Sequence, residues 1–210
     1  HDNFYLNEDR YDNVKESFKF ILEKSFDKDE LESELEVCDL GCATGEFLYF
    51  LKSKATSINV HGLDVMSKLI DKAIMNIPGG KFKSGSVLDR TNYKKDQFDK
   101  TYLTGVHSIF DEFETCFNNL IYWTKEQGNV YISGMFNPYP IDVLVKHRES
   151  KDYHSNVFEE GWNIHSLESI SNFLNKNSKV KSFEFLTSFK LETQLVFIID
   201  RIFSTLYQFL

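Results

Sequence analysis

The stretch Glu36-Val37-Cys38-Asp39-Leu40-Gly41-Cys42-Ala43-Thr44-Gly45-Glu46-Phe47 decides the fold of this chain. Leu35 to Leu40 is an apolar run of strand length, and Phe47, Leu48, Phe50 and Leu51 follow at helical spacing. Between them, Gly41 and Gly45 permit a tight turn and let a ligand approach where a β-carbon would collide. The helix that follows aims its first amides at the same point. In an open α/β sheet, ligands bind beyond the carboxyl ends of the strands, so this loop marks a ligand site.

Outward from the loop the pattern repeats. Ile58 to Leu63 reads as a second strand, followed by a helix from Ser67 to Met75 and a Pro78-Gly79-Gly80 turn. Lys81 to Ser86, Phe98 to Leu103 and Gly128 to Gly134 supply three more strands, with a helix expected over Phe110 to Trp123. Val14 to Phe26 is an entry helix, and Leu167 to Leu174 a late one with Ser166 as its N-cap. Such alternation argues for βαβ units and a parallel sheet with helices on both faces. Val180 to Phe185 and Gln194 to Ile199 have no helix between them, so they are expected to pair as an antiparallel hairpin. The expected fold is a mostly parallel seven-stranded α/β sheet that ends in this hairpin. No repeat and no Pro/Gly/Ser-rich linker interrupts the chain, so residues 1–210 are read as a single domain: a helical entry or lid segment (1–34), a ligand-binding core (35–134) and an acceptor-side loop, helix and hairpin (135–210).

Composition narrows the function. With 41% apolar and 27% charged residues in 210, the chain fits one globular core and no low-complexity class. Twenty-four basic against 32 acidic residues give a net charge of −8, and the lysines are scattered, which disfavours a nucleic-acid partner. Cys38, Cys42 and Cys116 have neither metal-site nor disulfide spacing. An odd, small cysteine count and an opening His1-Asp2-Asn3 without secretory character point to the cytoplasm. The most apolar run, Leu195 to Ile199, is far short of the roughly 20 residues a membrane helix needs, so no membrane span is expected.

Three stations specify the ligand. The first reads Gly-Cys-Ala-Thr-Gly, which is neither the G-x-G-x-x-G of dinucleotide enzymes nor a P-loop closed by Gly-Lys-Ser/Thr. Asp39, at the end of the first strand, would repel a pyrophosphate and suits an amino group. The second is Gly62-Leu63-Asp64-Val65-Met66, where a carboxylate closing the second strand is placed to accept ribose hydroxyls. Met66 offers a polarizable thioether to a purine face. The third is Gly85-Ser86-Val87-Leu88-Asp89, which is placed to read an adenine edge.

In this order and spacing, the three stations resemble the class I S-adenosylmethionine-dependent methyltransferases. The likeness covers roughly Leu35 to Gly134 and extends more loosely to the terminal hairpin. It implies a Rossmann-like fold, S-adenosyl-L-methionine as cofactor and S-adenosyl-L-homocysteine as product. By the same resemblance, Asp39, Gly41, Cys42, Ala43 and Gly45 would hold the methionine portion, and Asp64, Val65 and Met66 the ribose and adenine. Ser86, Val87 and Leu88, with Asp89, would form the adenine rim, and Thr104 would face the sulfonium.

Methyl transfer from a sulfonium is an in-line displacement in which positioning carries much of the acceleration. A hydroxyl acceptor also needs a base. His107, in Thr104-Gly105-Val106-His107-Ser108-Ile109-Phe110, follows the fourth strand on the expected ligand side and is the candidate catalytic base, with Asp111 and Glu114 close in sequence. Asp111, Glu112, Glu114 and Asp142 show no tight ligand spacing, so no metal is expected. Lys146 or Arg148 could meet an anionic substituent, and Tyr153 to Trp162 could form a lid or pocket wall. Phe4, Tyr5 and Tyr11 could close over the donor, and an apolar stripe of Ile202, Phe203, Leu206 and Leu210 could join a second copy in a homodimer.

The expected activity is methyl transfer to a small polar metabolite. A weaker likeness to bacterial methyltransferases of surface-polysaccharide precursors, in Val106 to Asp111 and Phe136-Asn137-Pro138, points to oxygen of a sugar. An N-methyltransferase of a small amine and a non-catalytic binding module of the same fold remain the alternatives.

Overall fold

The computed structural model describes residues 11–187 and 195–200. In chain order they form α1 (Glu16–Ser25), β1 (Glu36–Leu40), α2 (Glu46–Lys54), β2 (Asn59–Asp64), α3 (Ser67–Asn76), β3 (Lys81–Ser84), β4 (Phe98–Thr104), α4 (Glu114–Trp123), β5 (Thr124–Gly134), β6 (Lys146–His147), β7 (Glu159–Glu160), α5 (Leu167–Lys176), β8 (Ser182–Thr187) and β9 (Leu195–Asp200). The main sheet runs β3-β2-β1-β4-β5-β9-β8. Strands β1 to β5 pair in parallel, and β9 is antiparallel to both β5 and β8. Strand order therefore reverses between β1 and β4, and the crevice above their carboxyl ends is where this topology binds ligands.

Two apolar layers hold the sheet, and alternation along the strands divides them. Val37 of β1, Tyr102 of β4 and Tyr131 of β5 pack with Phe18 of α1 and Phe47 and Leu48 of α2. Leu40, Leu103, Val130 and Ile132 face the other way, onto Phe117, Trp123 and Leu174 from α4 and α5. Strand β1 is buried on both faces, and its Val37, Cys38 and Leu40 made it visible in the sequence. Each fully buried aromatic of this kind contributes on the order of 2 kcal/mol.

The seven-stranded sheet and its terminal hairpin are as expected, with shifted boundaries. The helix expected from Phe110 starts at Glu114 instead. His107–Ile109 forms a separate turn, and the following loop is drawn toward residues 163–165. Asn163 donates its backbone amide to the Ser108 carbonyl (2.7 Å), and His165 Nε2 meets the Phe110 carbonyl (3.1 Å). Strand β3 stops at Ser84, two residues early, where the Gly85 amide turns to the Asp64 carbonyl (2.9 Å). Strand β5 begins at Thr124, before the charged Lys125-Glu126, and the register against β4 shifts between Phe98 and Lys100. The ribbon β6–β7 was not foreseen. It pairs Lys146 with Glu160 and His147 with Glu159 in antiparallel fashion, and bridges Asn137–Ser166 and Val143–Ile164 close the same excursion. Phe4, Tyr5 and the stripe Ile202, Phe203, Leu206 and Leu210 lie outside the described residues.

Candidate active site

The site begins at the end of β1. The loop that leaves it turns through left-handed backbone at Gly41 (φ 77°), Ala43 (φ 47°) and Gly45 (φ 85°). Gly41 is required twice over, because a β-carbon there would lie 2.2 Å from Cγ2 of Val106. The amides of Gly41 and Cys42 both donate to the Leu63 carbonyl (2.7 and 3.0 Å), which fixes the loop to the end of β2. Asp64 completes the tie. One carboxylate oxygen accepts from the Ala43 amide and the other from the Met66 amide, each at 2.9 Å. A carboxylate has about four acceptor positions, so this leaves Asp64 oriented and still able to accept two hydroxyls.

Two cavities meet over this loop. The smaller, ≈ 230 Å³, is walled by Asp39, Cys42, Lys15, Phe18, Glu46 and Gly134 among others. The larger, ≈ 510 Å³, is walled by Asp64, Val65, Met66, Ser86 and Val87 on one side and by Glu159, Glu160, Gly161 and Trp162 on the other. They share Gly41, Ala43, Thr104 and Gly105, so they form one crevice along the carboxyl ends of β1, β2 and β4. Gly105 (φ 76°) stands at the junction, and a β-carbon placed on it would enter open space.

Asp39 is the most unusual group here. It is 1% exposed, and its Oδ1 meets no hydrogen-bond donor among the described residues. Burial, with the Asp64 carboxylate nearby, pushes it up to about 7, against the opposing pull of Lys15. A buried acceptor without a donor calls for a cationic partner, and the cavity that it lines has room for one.

The crevice gathers Asp39, Gly41, Cys42, Ala43, Asp64, Val65, Met66, Ser86, Val87 and Thr104. Three of the residues expected to hold the donor line neither cavity. Gly45 makes the turn into α2, and a β-carbon there would strike Ile77 (2.7 Å). Leu88 is half-exposed beyond the rim. Asp89 accepts from the Thr91 amide and hydroxyl (2.9 and 2.7 Å) and caps a turn. His107 is the consequential correction. Its side chain is wholly enclosed, with its ring stacked on Phe136 (centroids 4.4 Å apart) and Nε2 3.3 Å from the Met135 carbonyl. Burial lowers it to about 4. The ring sits one layer behind the wall, where a β-carbon on Gly134 would be 2.1 Å from its Cε1. It packs the floor and does not touch the ligand space.

Lys146 and Arg148 are engaged elsewhere. Lys146 pairs with Asp111 and with Glu160 (3.1 Å), and Arg148 donates to the Ser155 carbonyl while lying over the Phe158 ring. Asp142 accepts from the Ser166 amide (2.5 Å) and the Ser169 hydroxyl (2.6 Å) and so anchors the start of α5. Among the described residues no group of three or more His, Cys, Asp or Glu is placed to hold a metal ion, and no helix is long and apolar enough to cross a membrane.

The helix of the entry or lid segment was expected, but its individual site residues were not named from sequence. Lys15, Ser17, Phe18 and Ile21 close the smaller cavity, and Lys15 lies 3.7 Å from Glu46. Just before α1, the Tyr11 hydroxyl donates to the Thr44 carbonyl (2.6 Å) and its ring meets Tyr49 edge-on. The available signal was an amphipathic helix directly upstream of a buried strand. The tyrosine expected to close over the donor loop is bonded to that loop.

A family model described as a methyltransferase domain matches residues 31–185. This chain belongs to the methyltransferase domain family. Its fold is shared by solved structures of low sequence identity. An S-adenosylmethionine-dependent methyltransferase from Mesorhizobium loti is 15% identical with a TM-score of 0.63, over 91% of this chain and 100% of the other. One from Aquifex aeolicus is 10% identical with a TM-score of 0.66, over 96% and 99%. Coclaurine N-methyltransferase, solved with S-adenosylhomocysteine, is 15% identical with a TM-score of 0.61, over 81% of this chain and 50% of that one. No curated protein matches the sequence. The methyltransferase uses S-adenosyl-L-methionine and leaves S-adenosyl-L-homocysteine, and its residues fit the donor. The unsatisfied Oδ1 of Asp39 suits the donor's ammonium, and the open face of Gly105 leaves room beside Thr104.

Proposed function

We propose that this methyltransferase acts on a small-molecule acceptor held in the larger cavity, between the turn at residues 105–110 and the β6–β7 ribbon. The observation that carries the reading is the continuity of the crevice: the cavity of Asp39 opens through Thr104 and Gly105 into a space walled by Ser108, Ile109 and Trp162. When bound, S-adenosyl-L-methionine supplies an electrophilic methyl carbon on a sulfonium. Asp39 holds the ammonium end, Asp64 accepts the ribose hydroxyls, and Met66, Ser86 and Val87 flank the adenine. Thr104 and Gly105 leave the methyl open toward the acceptor, and the ribbon orients that acceptor and limits access by water.

Oxygen methylation of a sugar or a polysaccharide precursor was expected from the weaker likeness in Val106 to Asp111 and Phe136-Asn137-Pro138, with His107 as the candidate base. With that imidazole enclosed and lowered to about 4, it has no path to an acceptor proton, and the hydroxyl reading loses its base. The test is titration of S-adenosylhomocysteine into the parent protein and Asp39→Asn, followed by assay of its formation from donor and pooled metabolites. The reading requires binding by the parent, at least tenfold weaker binding by the variant, and turnover on a member of the pool. Parent protein that binds no S-adenosylhomocysteine would sink it.

A further inference from the structure

We infer that the acceptor is a cationic amine, gathered at the mouth of the larger cavity by Glu159 and Glu160 and held against Trp162. The inference rests on the methyltransferase reading above and names its substrate class. The cavity wall carries three carboxylates, those of Asp64, Glu159 and Glu160, and among its described residues neither a lysine nor an arginine. Glu159 meets His147 Nε2 (3.6 Å) and Glu160 shares Lys146 with Asp111, and Asp64, paired with neither His147 nor Lys146, keeps the cluster net negative. A phosphorylated or carboxylated acceptor would meet no counter-charge here. A cation would meet two exposed carboxylates on the ribbon, in a geometry that concentrates positive ligands at the entrance.

Trp162 supplies the second, independent observation. It is 52% exposed at the cavity mouth, and its backbone is left-handed (φ 59°), a conformation that a residue with a β-carbon rarely adopts. The His147 ring stands 4.6 Å from it at 51°, so the two make an aromatic corner directly beside the carboxylates. An aromatic face with adjacent carboxylates is the chemistry that selects an alkylammonium.

Past the mouth the charge environment reverses, and this serves the reaction. An ammonium drawn in by the mouth approaches the positive sulfonium, where like charge favours loss of its proton, and this proton passes to water at the open entrance. The neutral amine's lone pair then forms the C–N bond as the C–S bond breaks, with the bonding pair left on sulfur. The products are an N-methylammonium and the thioether S-adenosylhomocysteine. No buried base is needed, in keeping with the enclosure of His107.

The test uses three probes of one shape and different charge: phenethylamine, phenethyl alcohol and hydrocinnamate. Each is titrated calorimetrically at neutral pH into protein saturated with S-adenosylhomocysteine. The expected order is amine first, with roughly tenfold or greater preference over the alcohol, and the acid last. In Glu159→Gln/Glu160→Gln, whose substitutions lie on exposed positions, amine affinity should fall about tenfold while alcohol affinity stays. Trp162→Leu should weaken the amine more than the alcohol. Protein that binds S-adenosylhomocysteine but shows a flat or inverted charge series, no amine binding, or an unchanged amine affinity in the double variant overturns the amine inference alone. Protein that does not bind S-adenosylhomocysteine overturns the donor reading beneath it.

Discussion

The two ends of the crevice are built by different means. The donor end is made of backbone: left-handed turns at Gly41 and Ala43, amides tied to Leu63 and Asp64, and strand ends buried on both faces. The acceptor end is made of side chains on a two-residue ribbon whose Glu159, Glu160 and Trp162 are exposed. The chain's two tryptophans show the contrast in small. Trp123 is fully buried and donates its indole N–H to the Arg90 carbonyl (3.0 Å), whereas Trp162 stands half in solvent in strained backbone. A common donor is met by a scaffold that tolerates little change, and a particular acceptor by a surface that tolerates much.

The largest effect on donor binding should follow from damage to the scaffold. Gly41→Ala combines a left-handed φ with a 2.2 Å approach to Val106 Cγ2 and should cost about 2–4 kcal/mol of stability, with loss of measurable S-adenosylhomocysteine binding. Adding Val106→Ala should recover the part due to the clash and leave the backbone strain. Denaturant titration of the single and double variants separates the two, and a double variant no more stable than Gly41→Ala would show that overlap was not the cause.

Next in size are two buried groups with opposite pH linkage. Asp39, pushed up to about 7, holds its proton in the folded state where the unfolded chain has lost it, so its contribution to stability falls as pH rises from about 4 to 7. His107, lowered to about 4, stays neutral in the folded state where the unfolded chain takes a proton, so its contribution rises with pH across the same range. Each amounts to a few kcal/mol at most, and in the parent they offset one another. Asp39→Asn should therefore expose a stability that climbs with pH, and His107→Gln one that falls. Donor binding discriminates further: below pH about 7, affinity for S-adenosylhomocysteine should drop by up to tenfold per unit in the parent and stay flat in Asp39→Asn.

Reading the donor end from sequence was possible because its signals are local. Gly41 and Gly45 at the end of a doubly buried strand, with Asp64 closing the next, place the crevice without any long-range information. What stayed illegible depends on contacts across the fold. That His107 follows β4 was evident, but the direction of its ring is set by Phe136 and Gly134, which are more than 25 residues away. Helix α4 loses its expected first turn to Asn163 and His165, over 50 residues further on. The ribbon has no periodicity to detect, since two strands of two residues each are separated by eleven others and owe their pairing to residues 135–166 as a unit. Tyr153 to Trp162 was recognisable as a wall; its charge was not, because only the folded chain shows Lys146 shared between Asp111 and Glu160.

A smaller effect should separate ligand space from backbone strain. Gly79 (φ 82°) and Gly105 (φ 76°) are both left-handed, and a β-carbon on either would touch nothing within 4 Å. Alanine at each should cost about 1 kcal/mol of stability, since only the backbone term is involved. Gly105 lines both cavities and Gly79 lines neither. S-adenosylhomocysteine affinity should therefore fall only in Gly105→Ala, as measured by calorimetry beside denaturant titration. Equal losses of affinity would mean that the donor does not pass over Gly105.

The smallest change in stability is expected at the acceptor end. Trp162→Gly removes a half-exposed side chain and, with it, the backbone strain of a left-handed residue. Lost contact with His147 (4.6 Å between ring centroids) opposes that gain, so the net change should stay within about 1 kcal/mol. Trp123→Ala, by contrast, should lose about 3–5 kcal/mol through the cavity it leaves. Thermal denaturation of the two variants side by side tests the division directly. A Trp162→Gly loss that approached the Trp123→Ala loss would make the ribbon part of the scaffold. A negligible loss combined with weakened phenethylamine binding means that the strain at Trp162 is kept for the acceptor.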